Sequence, residues 1–476
     1  MTRRFELLTL LLILLFMALP ANALFAQEAR SRSQSSSGAT GPLSDSVPAG
    51  TISPEPIPLT IIDAIHRGLK ANMAVITGNY DLKTAEVARL RDQAELIPKI
   101  NGYVSATQQQ INLAAFGFTG ISGISPVIGP FGLMDARATF SQSLFDSERT
   151  HNLREARENE KAVSLGNNNT RELVVLTVLD LYFQAVSGTS RVRAVEAQVV
   201  SARALNSRAA DLKNAGVVPG IDVLRAQVEL QSAEQRLIQA RNELSREKLS
   251  LARAIGLPLG QEFNLVDSLP VGAIPTETLP DLLSRAYSSR SDAKAADSRL
   301  RAAEEAVKSA KAVNLPTARL DANYGAIGQN PWSNHGTFAV TGIVEFPIFN
   351  SKSKNDTSEK EALLKQRQAE VDSLHGRIEL DVRSALLEVQ SAEEQYKVAQ
   401  SSLALVRQQL DQAQDRFAAG VANNLEVVQA QEALALADEN VIRGLYAFNA
   451  SRALLARAMG VAEQSAEEVF GGSRRQ

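Results

Sequence analysis

Two long segments of the chain place a large apolar residue at every seventh position. These residues are Leu230, Leu237, Leu244 and Leu251 in the first segment, and Leu434, Val441, Phe448 and Leu455 in the second. A small residue, most often Ala, follows most of them three places later. A large residue facing a small one at the a and d positions of a heptad lets helices approach closely. The pattern therefore predicts two coiled-coil arms with these eight residues along the seam.

Proline spacing supports long helices in the same regions. No proline occurs in 131–218, in 220–257 or from 348 to the end, and an interior proline would break a helix. The run 154–214 would be about 90 Å long if it stayed helical throughout. We expect Gly166 and Gly188 to break or bend it.

Four shorter segments alternate apolar and polar residues with period two, which predicts half-buried strands. The segments are about 99–113, about 135–146, 318–329 and 337–349. In the last segment one face carries Phe338, Val340, Val344 and Phe346. Alternation alone also fits a soluble sheet packed on a core. No other part of the chain offers these faces a core, and the protein carries an export signal, so lipid is the favoured environment for them.

The chain is an internal duplication. Residues 212–256 and 416–460 align without gaps at an offset of 204, with 14 of 45 positions identical. Upstream of the strands the offset becomes 218, so the first copy holds 14 extra residues between positions 98 and 144. Each copy has the order helix, β-hairpin and long helical hairpin. The predicted fold class is thus a mixed α+β membrane protein built from two copies of one unit.

Assembly follows from the number of strands. Four strands cannot close a membrane barrel, and unpaired strand edges cannot face lipid. Known barrels begin at eight strands, so two chains are the minimum and three would give twelve strands. The pattern itself does not choose between these two numbers.

The domain boundaries follow from composition. Residues 1–26 have a basic start, an apolar core and small residues at cleavage spacing, which predicts a signal peptide rather than a membrane anchor. Ser, Gly and Pro dominate 27–58, a disordered or loosely docked leader. Repeat 1 then covers 59–256, with a helical tip near 215–221, and a linker fills 257–278. Repeat 2 covers 279–460, with a tip near 419–425, and 461–476 form a C-terminal tail.

Composition argues against several other functions. The formal net charge of −3 gives no polyanion-binding signature, so we expect no nucleic-acid partner. The chain has no cysteine, and its four histidines are scattered. No nucleophile–base cluster, metal-ligand spacing or Gly-rich phosphate loop is present in the sequence. We therefore predict a protein that is not an enzyme and that needs no cofactor or metal.

Duplicated motifs at the strand exits and helical tips carry a family resemblance. Leu144-Phe145-Asp146 corresponds to Ile348-Phe349-Asn350, and Ala215-Gly216-Val217 to Ala419-Gly420-Val421. Each arm ends similarly, in Arg253-Ala254-Ile255-Gly256 and Arg457-Ala458-Met459-Gly460. Over 59–460 the chain resembles the TolC-like outer-membrane efflux protein family, the outer-membrane factors of tripartite efflux or type I secretion systems.

The resemblance implies a homotrimer in the outer membrane of a Gram-negative type envelope. Its twelve-stranded barrel would continue into a periplasmic α-helical coiled-coil barrel. A gate would lie at the helical tips, which dock onto a periplasmic adaptor (membrane fusion) protein of an inner-membrane pump of the RND or ABC type. The family's second tip often carries a Tyr and a second acid, where this chain has Phe417 and Gln429. A gate locked by that Tyr hydroxyl and second acid is therefore not implied here.

Candidate site residues lie at the two tips. Asp222 and Glu426 are equivalent by the offset of 204 and would form a ring of six carboxylates in a trimer, which would favour cations. They could also be ordinary acids in the first turn of a helix. Gly216, Val217, Gly420 and Val421 form the tip turns expected to dock the adaptor.

Two other functions fit part of the pattern. A periplasmic coiled-coil adaptor would have one hairpin inserted in β-rich modules, whereas this chain has two hairpins and four amphipathic strands. A structural coiled coil of the cell envelope would leave the apolar strand faces unexplained. The sequence thus favours an outer-membrane channel subunit that passively conducts cargo to the exterior.

Overall fold

The two halves of the chain build the same series of elements. The computed structural model describes residues 42–117, 125–271, 277–330, 332–348, 350–419, 421–422 and 424–470. The first half contains β1 (Ile57–Leu59), α1 (Ile61–Ala71), α2 (Met73–Ala94), β2 (Lys99–Asn112), β3 (Val127–Phe145), α3 (Ser147–Asn214) and α4 (Gly220–Ala254). The second half contains β4 (Phe263–Leu265), α5 (Leu279–Ser289), α6 (Ser291–Ala312), β5 (Thr317–Gly328), β6 (Asn334–Glu345), α7 (Ser351–Ala418), α8 (Asn424–Ala458) and α9 (Ala462–Phe470). The predicted signal peptide, 1–26, and residues 27–41 of the predicted leader lie outside the described residues.

The arms of the two helical hairpins match in length. Helices α3 and α7 each have 68 residues, and α4 and α8 each have 35. At a rise of 1.5 Å per residue, the longer helices each span about 100 Å. Helices α1 and α5 are also equal in length, as are α2 and α6. The duplicated unit predicted from the sequence is confirmed.

Helix α3 runs without interruption through both glycines that we expected to bend it. The Asn167 side chain is buried beside Gly166 and donates a 2.8 Å hydrogen bond to Asn79 Oδ1 of α2. At Gly188 the Glu247 carboxylate occupies the space of a side chain, since a Cβ there would lie 1.9 Å from Glu247 Oε2. Neighbouring helices thus hold both positions in the helix. One 18-residue stretch of α3 is apolar enough to cross a membrane by composition, but 56% of it is buried in the protein.

The four long strands form one antiparallel sheet in the order β2-β3-β5-β6. Strand β3 begins at Val127, well before the predicted start near residue 135, because 127–133 continue the pairing with β2. The central pair, β3 and β5, joins the two repeats. Strands β2 and β6 lie at the two edges, each paired on one side only among the described residues.

A hydrophobic core surrounds the middle of α3, where Tyr182 and Phe183 are buried. The Tyr182 hydroxyl donates a 2.9 Å hydrogen bond to the Leu59 carbonyl oxygen. Strand β1 pairs in parallel with β4, which tethers the predicted linker to the chain before α1. The segment predicted as a C-terminal tail contributes α9, whose Ala462 and Ala466 are buried in the same core. The described part of the leader is also docked, since the Val47 and Ala49 amides donate hydrogen bonds to the carbonyl oxygens of Ala71 and Gly256.

Candidate functional site

The first helical tip is a tight turn between α3 and α4. Gly216 has a φ of +71°, a left-handed conformation that costs glycine little. The Val217 amide donates to the Leu212 carbonyl oxygen at 2.9 Å, and the Gly216 amide donates to that of Lys213 at 2.9 Å. These bonds satisfy the last carbonyl groups of α3. The side chain of Val217 is left 57% exposed at the end of the arm.

The second tip repeats the valine hydrogen bond of the first tip, here between α7 and α8. The Val421 amide donates to the Arg416 carbonyl oxygen at 3.1 Å, and the Ala419 amide donates to that of Asp415 at 3.0 Å. Val421 is 71% exposed. Gly420, the equivalent of Gly216, lies outside the described residues. Each tip therefore presents an exposed valine whose amide donates a hydrogen bond back to the preceding helix.

The two tips pack on one another through a shared hydrophobic cluster. The buried members are Leu205, Ala209, Ala226, Leu410, Ala413, Phe417, Val427 and Ala430, drawn from all four helices of the arms. Phe417 is almost fully buried in this cluster. A single chain thus fixes its two hairpin ends side by side, without a hydroxyl at the position of Phe417.

Asp222 is buried where the tips meet, with only 4% of its surface exposed. Arg225, one turn further along α4, donates to Asp222 Oδ1 at 3.3 Å. Asn424, at the start of α8, is fully buried and donates from Nδ2 to the Asp222 carbonyl oxygen at 2.9 Å. Side chain and backbone of Asp222 therefore both take part in contacts at the tip, and the backbone contact links one hairpin to the other.

Glu426 has a different environment from Asp222 despite their equivalence in the repeat. Its side chain is 45% exposed and lies 3.5 Å from Arg416 Nε, measured from Oε2. Each carboxylate thus has an arginine beside it, but only that of Glu426 is open to solvent. The two acids predicted to form one ring therefore differ in exposure, since Asp222 is buried and Glu426 is half-exposed.

The eight seam residues are all buried or half-buried in the single chain. Phe448, Leu251 and Leu455 are fully buried, near the ends of the shorter arms that lie far from the tips. Leu230 and Leu237 pack against Val199, Ala202 and Ala233 of the α3–α4 hairpin. The remaining seam residues, Leu244, Leu434 and Val441, are half-buried.

A small cavity of about 80 Å³ lies inside the bundle of arms, above the tips. Gln198, Arg236, Gln431 and Asp438 are among the residues that line it. Gln198 Oε1, Arg236 Nε and Gln431 Oε1 are buried without a hydrogen-bond partner in the described structure. Burial raises the pKa of Asp438, and Arg407 nearby opposes that rise. Polar atoms of this kind in a cavity of this size fit one or two buried waters.

The sheet separates apolar from polar side chains into two faces. On one face the strands align Ile100, Phe140, Ala322 and Val340 in one row and Gly102, Ala138, Tyr324 and Phe338 in the next. The intervening row on the other face is Asn101, Thr139, Asn323 and Ala339. The residues predicted to face lipid, Phe338, Val340, Val344 and Phe346, are each at least 59% exposed. None of the residues that the structure describes covers the apolar face.

The polar face carries paired charges. Arg137 and Asp135 form a two-pronged ion pair on β3, and Ser141 donates to Asp321 of β5 at 2.7 Å. At the base of the sheet Arg149 of α3 contacts Glu95 at 3.2 Å. Charged and hydroxyl side chains thus occupy much of this face, and Ile327 and Ile343 are apolar positions on it. In the described residues no group of three or more His, Cys, Asp or Glu is placed to hold a metal.

A match to a protein-family model identifies the family to which the chain belongs. The model for outer membrane efflux proteins matches residues 78–257 and 282–461, one segment in each repeat. The chain belongs to the outer membrane efflux protein family. The resemblance seen in the tip and strand-exit motifs is confirmed, and this outer membrane efflux protein lies in the outer membrane and extends into the periplasm.

Solved structures show the same fold for this efflux protein. The outer membrane protein VceC from Vibrio cholerae is 17% identical with a TM-score of 0.70, covering 84% of this chain and 96% of that one. The CmeC outer membrane channel of Campylobacter jejuni is 16% identical with a TM-score of 0.70, covering 86% and 88%. The MtrE outer membrane channel of Neisseria gonorrhoeae is 16% identical with a TM-score of 0.71, covering 84% and 89%. A comparison with curated protein sequences gives no significant match. The predicted fold class, a mixed α+β membrane protein built from two helix, β-hairpin and long helical hairpin units with four long strands per chain, is confirmed.

Sequence reasoning missed the tip residues that contact the two acids, because nothing in their residue type marks them as part of the site. Asn424 corresponds to Gly220 by the repeat offset, so the comparison of the two copies gives it no special status. Arg225 and Arg416 lie close in the sequence to Asp222 and Glu426, but the comparison of the two copies does not identify them as partners of these acids. A search for opposite charges one helical turn away, or across the tip turn, would have found both arginines.

Proposed function

We propose that three copies of this efflux channel form a passive conduit from a periplasmic adaptor and an inner-membrane pump to the exterior. The pump, of the RND or ABC type, would supply the energy, since the chain carries no catalytic constellation in its sequence. The family assignment supports efflux across the outer membrane. The polar face of the sheet supports a wet lumen, and the uncovered apolar face supports contact with lipid.

The gate is proposed at the helical tips, and one observation carries it. The two hairpins of each chain are joined there by the Asn424–Asp222 hydrogen bond and by the cluster around Phe417. In a closed three-fold assembly the tips converge on the axis, so a small outward shift of each pair would widen the opening.

Two layers of carboxylate would then control the opening. The buried Asp222 would hold the hairpins together through its backbone and through Arg225. The half-exposed Glu426 would line the opening, where its charge is only partly offset by Arg416. Rings of exposed acidic side chains favour cations. Ion selectivity is therefore expected to depend on Glu426 more than on Asp222.

The adaptor is proposed to dock on the exposed valines of the two tip turns. Val217 and Val421 are equivalent in the repeat, and each is more than half exposed. Two exposed valine side chains at the ends of the hairpins suit contact with the apolar face of a partner's helical hairpin. Gly216 would allow close backbone approach, because no atom lies within 4 Å of the position its Cβ would take. Gly420 is proposed to do the same at the second tip.

Ion conduction in planar lipid bilayers tests the gate. We expect Asp222→Asn with Glu426→Gln to reduce cation preference and to weaken block by multivalent cations. Glu426→Gln alone should give most of the loss of selectivity, while Asp222→Asn alone should mainly raise the open probability. Glu234→Gln, an acid on the α4 arm away from the tip, is the matched control. Unchanged selectivity and block in the double variant would refute the carboxylate gate.

Efflux in cells tests docking separately. Val217→Asp with Val421→Asp should abolish efflux in a strain that depends on this channel, while purified trimers keep their conductance in bilayers. Loss of conductance as well would assign the two valines to assembly or gating instead of adaptor binding.

A further inference from the structure

A groove of about 580 Å³ lies between α3, α7 and α8, beside the stretch of α3 that carries Tyr182. Much of its lining is small or apolar and includes Leu176, Ala392, Ala447, Ala450 and Ala453. Pockets that hold small organic molecules in proteins have volumes of about 300–1,000 Å³ and are lined mostly by apolar side chains. The groove therefore has the size and the lining of a site for a small molecule.

The groove exists because the second repeat has a short side chain where the first repeat has a long one. The offset of 204 maps Gly188 on Ala392 and Glu247 on Ser451. In the first repeat the Glu247 carboxylate occupies the space beside Gly188. In the second repeat the Ser451 hydroxyl is turned onto its own helix, where it donates to the Phe448 carbonyl oxygen at 3.0 Å. The space that a glutamate fills in one half of the chain is thus left open in the other.

The groove opens on the side of α8 that faces away from α9. Ala447, Ala450 and Leu454 line the groove from one face of α8, since they are three and four residues apart. On the opposite face, Leu445 packs against the core that includes α9, and Ala456 is buried. In the trimer of the proposed function the arms form the wall of the passage, so α9 must lie outside that wall to leave the passage free. The groove therefore opens into the passage.

Two carboxylates lie at the groove, and neither has a cationic partner. Asp180 of α3 and Glu388 of α7 are among the lining residues, and none of the described residues that line the groove is a lysine, an arginine or a histidine. Asp180 is held in place by hydrogen bonds from the Tyr446 hydroxyl at 2.6 Å and from Gln184 Nε2 at 2.8 Å. Neither acid forms an ion pair within the described part of the chain. The groove is therefore negatively charged as well as apolar.

We propose that this groove is a binding site for cationic amphiphiles, small molecules with one positive charge on an apolar body, as they pass through the channel. The apolar body lies against Ala447 and Ala450 of α8, and the positive charge lies near Asp180 and Glu388. Each chain supplies one such site, because all three helices that line the groove belong to the same chain. The site rests on the channel of the proposed function and specifies a class of cargo that the channel wall binds.

The apolar lining and the carboxylates together select this class of molecule. A neutral amphiphile would leave the carboxylates unpaired, and an anion would be repelled by them. A bare metal ion would gain nothing from the alanine side chains, and no group of three or more His, Cys, Asp or Glu is placed to hold one among the residues that the structure describes. Carboxylates that remain open to water attract a cation only modestly. Weak binding of this kind suits a conducting channel, since the cargo must also leave the site.

Binding of tetraphenylphosphonium, a lipophilic cation, to purified full-length trimers in nanodiscs of zwitterionic lipid tests the groove. Equilibrium dialysis against empty nanodiscs should show saturable binding at one site per chain. Asp180→Asn with Glu388→Gln should weaken this binding about tenfold, the loss that two exposed ion pairs of ordinary strength would give. Ala450→Phe, which fills the groove without changing its charge, should weaken binding at least as much.

Two controls separate the groove from other sources of binding. Glu359→Gln removes an acid of α7 that lies about 43 Å along the helix from Glu388, and it should leave tetraphenylphosphonium binding unchanged. Tetraphenylborate, an anion of nearly the same size and shape, should show no saturable binding above that of empty nanodiscs.

Two results would overturn the site. One is equal tetraphenylphosphonium binding by the unchanged protein and by the Asp180→Asn, Glu388→Gln variant, in trimers that still conduct ions in planar bilayers. The other is saturable tetraphenylborate binding that Ala450→Phe removes, because the groove would then not select a positive charge. Trimers that bind tetraphenylphosphonium in the expected pattern but conduct no ions would instead refute the channel of the proposed function.

Discussion

A single arginine on the apolar face of the sheet should prevent assembly, while the same change one residue away should not. Val340 lies five or six residues from either end of β6, about 17–20 Å along the strand. Its row across the sheet contains Ile100, Phe140 and Ala322, none of which can accept a hydrogen bond from a side chain. An arginine at 340 would therefore meet lipid near the middle of the bilayer.

The expected cost follows from this position. A cation near the bilayer midplane of a barrel costs about 2–4 kcal/mol per chain. Three copies in a trimer would add about 6–12 kcal/mol, comparable to the whole stability of many folded domains. Val340→Arg should therefore remove the heat-modifiable oligomer from the outer-membrane fraction.

Thr341→Arg is the control, because it changes the polar face at the next position. Its cross-strand neighbour is Asp321, which already accepts a hydrogen bond from Ser141. An arginine there gains a carboxylate partner and water. The measurement is the amount of protein in outer-membrane fractions and its mobility on gels with and without heating. Equal assembly of the two variants would show that the assignment of the lipid-facing side is wrong.

Three further predictions concern the helices and the turns that end them. Ala240→Leu should lower the free energy of unfolding by about 1–3 kcal/mol through overpacking, since Ala240 is buried on the seam. The exposed control Gln239→Leu should unfold at the same temperature as the unchanged protein. Equal unfolding midpoints for Ala240→Leu and Gln239→Leu would show that Ala240 does not lie on the seam. Gly460→Ala should destabilise the protein more than Gly216→Ala, although both glycines have a φ near +71°, because a Cβ at 460 would lie 2.8 Å from Arg290 Cα. Gly216→Ala should cost only about 1–2 kcal/mol for the left-handed backbone, and equal losses in the two variants would argue against this packing. Burial raises the pKa of Glu247, with Arg191 opposing the rise, so the folded state holds the proton more tightly than the unfolded chain. Stability should therefore fall as pH rises from the ordinary glutamate pKa through the raised value, and melting curves of Glu247→Gln should lack this fall.

Periodicity in the sequence predicted much of the fold because each pattern has a direct physical cause. The alternation in 337–349 places Phe338 and Val340 on one face since strand side chains alternate. The spacing of Leu237 and Ala240 places both between helices. The duplication gave the order of elements in the second half once those of the first were assigned. None of these inferences needed contacts between distant residues.

The candidate site was harder to predict because equivalent positions need not have equivalent surroundings. Asp222 and Glu426 share a place in the repeat, yet one is buried under Asn424 and the other is half open. The difference arises where the two copies pack on one another, which a comparison of the copies cannot show. The continuity of α3 through Gly166 and Gly188 has the same origin, since neighbouring helices override the weak local preference of glycine.

The equal lengths of the paired arms limit where residues can be inserted or deleted in this protein. One residue added to α7 alone would move its tip by about 1.5 Å and rotate it by about 100° relative to α3, separating Phe417 and Asn424 from their partners. Between positions 98 and 144 the first copy accommodates 14 residues that the second copy lacks. Part of that length extends β2 and β3, which have 14 and 19 residues against 12 in each of β5 and β6. The barrel end of the first repeat has therefore gained length while the arms stay matched, whereas the arms can lengthen only together and in steps that restore the heptad phase.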